Sequence, residues 1–185
     1  MNLDAMLAYN KKFVENREYE PYETDTYPNK KLVVFTCMES RLLELLPKAL
    51  NLQNGDAKVV KNAGAIIRKP FDSIVKSILV AIYNLKAEEV VVIGHYDCGM
   101  SHIDTEQLAY RMTERGVKQE TLDILKNGGI NLHEEFNGFD TVEDSVLQSV
   151  EIIRNHPLLP EGIKVHGLAI DPGTGKVDVI TRDDG

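Results

Sequence analysis

Leu32-Val33-Val34-Phe35-Thr36-Cys37-Met38-Glu39-Ser40-Arg41 and Val90-Val91-Val92-Ile93-Gly94-His95-Tyr96-Asp97-Cys98 decide the fold of this chain. Each is a short, β-branched apolar run that ends abruptly in ionisable residues. Continuous apolar runs of this length read as strands covered on both faces of a sheet. In open α/β sheets the space beyond the carboxyl ends of the strands, where strand order reverses, is where ligands bind. If these two strands are neighbours across that point, Cys37, His95 and Cys98 converge.

Working outward, strand-like runs recur at 31–36, 57–62, 90–94, 163–170 and 177–181, the first three expected to be covered on both faces. Helical patterns fall between them at 42–50, 71–85, 100–115, 119–126 and 142–155. This alternation predicts an α/β fold: a single-domain, mostly parallel, doubly wound sheet. The turn Asp171-Pro172-Gly173-Thr174-Gly175-Lys176 is too short for a parallel crossover, so the last strand is expected to be an antiparallel C-terminal edge strand. At the other end, Leu3, Met6, Leu7, Phe13 and Val14 form an apolar stripe, with Asp4, Lys11, Lys12, Glu15 and Arg17 opposite. A Pro-punctuated, tyrosine-rich stretch follows it. Residues 1–30 therefore read as an N-terminal helical arm and linker, and 31–185 as the α/β domain.

The length of 185 residues fits one domain with its own core. A net charge of -8 without clustered Lys and Arg argues against nucleic acid or an anionic membrane as partner. The longest apolar run is far short of the ~20 residues needed to cross a bilayer, and Met1-Asn2-Leu3-Asp4 lacks the order of a signal peptide. A cytoplasmic protein is expected. Both of its 2 cysteines sit in the quoted clusters, where metal or redox chemistry is a better reading than a structural disulfide. Two thiolates and an imidazole suit zinc, and three protein ligands with one open position is the arrangement of catalytic zinc. Cys98 is expected to open the helix running through Met100, whose dipole would favour its thiolate.

The clusters resemble the beta-class carbonic anhydrases, whose motifs are Cys-x-Asp-Ser-Arg and His-x-x-Cys with an Asn-Ala-Gly run between them, here Asn62-Ala63-Gly64. The resemblance is strongest over 31–104 and departs at Glu39, where the family carries Asp. It implies Zn2+ held by Cys37, His95 and Cys98, and reversible hydration of carbon dioxide to bicarbonate by a zinc-bound hydroxide. It further implies a catalytic dyad of Glu39 and Arg41, Gly64 lining the substrate pocket, and a homodimer or higher even oligomer joined through the N-terminal arm. Two other readings stay open: hydrolysis of a related molecule such as carbonyl sulfide or carbon disulfide, and a catalytically weak zinc-binding homologue in which Glu39 is a conditional fourth ligand. A Cys37/Cys98 redox switch is compatible with any of them.

Each assignment has a plainer rival. A cysteine at a strand end is often just a small buried hydrophobe, and Arg41 could pair with Glu44 on a solvated helix face. Asn62-Ala63-Gly64 could be only a turn. Asp97 reads as a helix cap rather than a ligand-orienting group. His102 is expected to be an exposed helical residue and His166 a hydrogen-bonded strand residue. His133 and His156 carry no assignment.

Overall fold

In the computed structural model, which describes residues 2–184, β1 (Leu32–Cys37) lies parallel to β3 (Glu89–His95), from Leu32 opposite Glu89 to Thr36 opposite Ile93. Met1 and Gly185, which bound the expected arm and domain, lie outside the described residues. Around this pair the chain adds β2 (Ala57–Asn62), β4 (Lys164–Ile170) and β5 (Val177–Thr181), giving the order β2-β1-β3-β4-β5. All pairings are parallel except β4 with β5, which is antiparallel. Strand order reverses between β1 and β3, so Cys37 and His95 end adjacent strands at the crevice where α/β sheets bind ligands.

The twofold alternation of a strand sorts the core into two layers. Val33 and Phe35 of β1, Val90 and Val92 of β3, and Val165 and Ala169 of β4 pack on one face. They meet Val75, Ile78 and Ile82 of α3 (Ser73–Leu85) and Val146, Val150 and Ile153 of α7 (Val142–Arg154). Val34, Val91, Ile93 and Ile170 point the other way, onto Leu42 and Leu46 of α2 (Leu42–Ala49). Each fully buried aliphatic side chain of this kind contributes about 1.5–3 kcal/mol. The helices start where the sequence supplies a cap: Asp72 accepts from the Val75 amide, and Thr141 from that of Asp144. Gly94 on β3 lets α7 approach the sheet; a Cβ there would lie 2.5 Å from Val142 Cγ2 and 2.8 Å from Val146 Cγ2.

Two expectations are corrected, and one helix is added. The run at 57–62 is not covered on both faces: as β2 it is the outer strand, with Val59 55% exposed and its neighbours half-buried. Lys58 and Lys61 give it the charged character of an edge. The helix expected from Met100 starts later, as α4 (Thr105–Glu114), because the Asp104 carboxylate caps the amides of Glu106 and Gln107. Residues Gly99–His102 form a separate 3-10 turn. A short helix not foreseen, α6 (Leu132–Phe136), follows α5 (Gln119–Asn127), with Asn131 as its cap.

The N-terminal helix α1 (Asn2–Glu15) buries no residue, and Leu3, Met6 and Leu7 are about 60–70% exposed. No helix among the described residues is long and apolar enough to cross a membrane.

Candidate metal centre

Cys37 is the last residue of β1 and His95 the last of β3, so two pleats that end side by side deliver a sulfur and an imidazole to one point. Cys98 joins them because Asp97 takes a left-handed backbone (φ 55°), which bends the chain back toward β1. Non-glycine residues rarely adopt this conformation, and aspartate is among those that tolerate it best. All three side chains are buried, and one ligand atom from each lies within 4.8 Å of the other two.

His95 is oriented for ligation. Its Nδ1 lies 2.8 Å from the carbonyl oxygen of Tyr96, which fixes Nδ1 as the protonated nitrogen and leaves Nε2 bare. Nε2 is buried and has no hydrogen-bond partner. An orphaned buried nitrogen between two sulfurs is the feature a thiophilic metal ion would satisfy, so the donor set fits zinc. The peptide that holds His95 is itself anchored: the Tyr96 amide donates to Ile170 O at 3.1 Å, and its phenol to Asp178 at 3.3 Å.

The two sulfurs shift each other in opposite directions. A hydrogen bond with Cys98, opposed by burial, pulls the Cys37 thiol well down, and the same bond together with burial pushes Cys98 up. Backbone amides support the charge: Gly64 and Glu39 donate to Cys37, and Met100 to Cys98. For His95, burial disfavours the charged ring, but the nearby Cys37 sulfur and the hydrogen bond to the Tyr96 carbonyl outweigh it and raise its basicity.

Glu39 and Arg41 stand beside the three. Arg41 Nη2 donates to Glu39 Oε2 at 3.1 Å, the Arg41 amide donates to Oε1 at 3.0 Å, and Ser40 Oγ donates to Oε1 at 3.3 Å. The Arg41 side chain, more than its amide, holds the Glu39 carboxyl at about 2. Arg41 thus pairs with Glu39, whereas Glu44 pairs with Lys48. Asp97 does not cap a helix; its carboxylate lies 3.7 Å from Arg41 Nη1, so the guanidinium sits between two acids.

Gly64 is buried in the 3-10 turn Ala63–Ala65 and gives its amide to Cys37. A cavity of about 560 Å³ is lined by its neighbours Asn62, Ala63 and Ile66 together with Met100, and not by Gly64 itself. The other histidines stand apart from the centre. His102 is exposed, His133 bonds Thr105, His156 is buried against Phe71, and His166 accepts from the Asp183 amide.

A mostly parallel α/β sheet that gathers two cysteines and a histidine at its switch point defines a protein with a group able to hold a metal ion at the carboxyl ends of its strands. The family model for carbonic anhydrase matches residues 32–177. The chain belongs to the beta-carbonic anhydrase family. It is 52% identical over 180 residues to "Putative carbonic anhydrase YvdA" of Bacillus subtilis (strain 168), covering 97% of this chain and 91% of that one. It is 28% identical over 161 residues to a carbon disulfide hydrolase of Acidianus sp. (strain A1-3), covering 80% and 76% of the two chains. The crystal structure of beta-carbonic anhydrase isoform I from Trichomonas vaginalis superposes with a TM-score of 0.88 at 33% identity, covering 98% of both chains.

Proposed function

We propose that this chain is a zinc enzyme catalysing the reversible hydration of carbon dioxide, with Cys37, His95 and Cys98 as the metal ligands. The observation that carries this reading is the buried, unpartnered His95 Nε2 facing two sulfurs, with an ionised carboxylate and guanidinium alongside. Bound there, zinc supplies the Lewis acidity that makes a water molecule a nucleophile near neutral pH.

The chain's own residues do the rest. Glu39 is ionised throughout the neutral range and keeps a free lone pair on Oε2, so it accepts a hydrogen bond from the attacking water and aims it. Arg41 is a positioning residue that holds the carboxylate against swinging. The longer glutamate is accommodated because Oε1 folds back onto the Arg41 amide two residues on, which shortens its reach. Occupation of both oxygens by Arg41 favours the paired dyad over Glu39 as a fourth ligand.

A second reading, hydrolysis of carbon disulfide or a similar linear molecule, is favoured by the relative of that name. The assembly follows from α1: an amphipathic helix that buries nothing on its own chain has its apolar face free for a second copy, which supports a homodimer.

The test is metal content measured together with stopped-flow hydration rate against pH, on protein purified without chelator. One zinc per chain and a rate well above the uncatalysed reaction are expected. Zinc without hydration, but with turnover of carbon disulfide, would move the assignment to the second reading.

A further inference from the structure

The loop after β2 connects the metal centre to a residue far away in sequence. Gly64 points its amide at Cys37 Sγ, 3.3 Å away, from a backbone that is left-handed at two successive residues, Gly64 (φ 80°) and Ala65 (φ 54°). Glycine enters that region freely, but alanine does so only when its surroundings hold it there.

Two side chains do so. Asn62 brackets the loop, its Oδ1 accepting from the Ile66 amide at 3.1 Å and its Nδ2 donating to the Ile66 carbonyl at 2.7 Å. Ser149, in the middle of α7 and fully buried, takes the next residues. Its Oγ accepts from the Ile67 amide at 3.1 Å and donates to the Ala65 carbonyl at 3.2 Å. A serine inside a helix ordinarily bonds a carbonyl of its own preceding turn. Ser149 instead satisfies one donor and one acceptor of a loop more than eighty residues away.

We infer that Ser149 is a positioning residue of the metal centre: by pinning Ala65 and Ile67 it holds the Gly64 amide on the Cys37 sulfur and so sets how much charge that sulfur gives to a bound metal. The inference rests on the metal-binding reading above. Two thiolates donate strongly to a cation, and an N–H···S bond draws part of that charge back, as outer hydrogen bonds to metal ligands do. Removing Ser149 leaves the Ile67 amide and the Ala65 carbonyl buried without partners. The loop then relaxes from its left-handed turn, and the Gly64 amide leaves the sulfur.

The test compares full-length wild type, Ser149→Ala and Ser149→Thr, loaded with cobalt(II) and, separately, with cadmium-113. In the wild type the Gly64 amide proton should show scalar coupling to cadmium-113 through the sulfur. In Ser149→Ala that coupling should be lost, and the thiolate-to-cobalt charge-transfer band should move to longer wavelength at unchanged metal stoichiometry. Ser149→Thr, which keeps the hydroxyl, should restore both signals.

An alanine variant with the wild-type band and coupling would overturn the role of Ser149 while leaving the metal site intact. Absence of the coupling in the wild type would overturn it without any variant. Should Ser149→Ala fail to fold, Ser149→Thr carries the comparison, and a displaced band or lost coupling there would count against the inference. Failure of the wild type to take up either metal with a thiolate signature would instead sink the metal-binding reading itself.

Discussion

Replacing Gly94 with alanine tests how tightly the metal centre is tied to the packing behind it. Gly94 precedes His95 on β3, and α7 crosses over it. The added Cβ would lie 2.5 Å from Val142 Cγ2 and 2.8 Å from Val146 Cγ2, against the roughly 3.5–4.0 Å at which carbon atoms pack. The φ of Gly94 is not in the left-handed region, so alanine meets no backbone penalty and the cost is one of space. Valines in helices hold one χ1 rotamer, so the helix must move away rather than the side chains turn. Overpacking of this kind costs about 1–3 kcal/mol. The lower entropy of the unfolded alanine chain offsets about 0.4–1 kcal/mol of that. A net loss of about 1–2 kcal/mol lowers Tm by roughly 2–8 °C for a chain of this size. Circular dichroism melts at one protein concentration, on metal-free protein, give the measurement without binding or association shifting the midpoint. Gly99→Ala is the control, since a Cβ there meets nothing within 4 Å. A Gly94→Ala Tm equal to or above wild type would show that α7 is not seated on β3 as described.

Arg41→Ala should keep one zinc per chain and lose about 10- to 100-fold in hydration rate, because it removes an electrostatic contact and no ligand; a wild-type rate across about pH 6–9 would make Arg41 purely structural. The Glu39 carboxyl, followed by carbon-13 NMR, should titrate near 2 rather than 4.5. Its pKa is depressed in the folded protein, so the stabilisation from the dyad is complete above the ordinary carboxylate value and fades as pH falls from about 4.5 toward 2. A midpoint near 4.5 would mean that the pair does not form in solution. Cys98→Ser should bring bound zinc close to zero, and retention of one zinc per chain would remove Cys98 from the ligand set. Deleting residues 2–15 should convert a dimer to monomers in sedimentation velocity, and a wild type that is monomeric at micromolar concentration would end the arm-exchange reading.

The sheet was legible because its strands are runs of β-branched residues and its connections carry Gly, Pro and capping acids at the right places. Convergence of Cys37, His95 and Cys98 was legible too, since both clusters follow strands and a switch point brings strand ends together. The edge position of β2 was not. Val59 and Val60 look as apolar as a central strand, and only the order of pairing puts them at the rim. The start of α4 turned on the Asp104 carboxylate, a cap that competes with several polar residues nearby and is selected by the path of the chain. Asp97 misled for a related reason: its identity suits a cap, but a left-handed φ turns its carboxylate toward Arg41.

What the sequence hides most completely is the support behind each ligand. Ser149 lies in a helix whose pattern accounts for it as a small residue on a buried face, and nothing near it announces a bond to a loop eighty residues earlier. Tyr96 and Asp178 are likewise separated by most of the C-terminal half of the chain, yet together they steady the peptide whose carbonyl fixes the His95 tautomer. Glu39 shows why this matters for function. Judged by side-chain length alone, a glutamate in place of aspartate displaces the carboxylate by one methylene, more than a preorganised site tolerates. The fold answers by bending Oε1 back onto the Arg41 amide while Arg41 Nη2 holds Oε2, so that backbone and side chain of a single residue fix both oxygens. The identity of residue 39 therefore cannot be weighed apart from the turn it sits in: a Glu39→Asp exchange shortens the reach but keeps an oxygen able to accept from the amide two residues on, as Asp171 does from Gly173, and should raise hydration or leave it nearly unchanged.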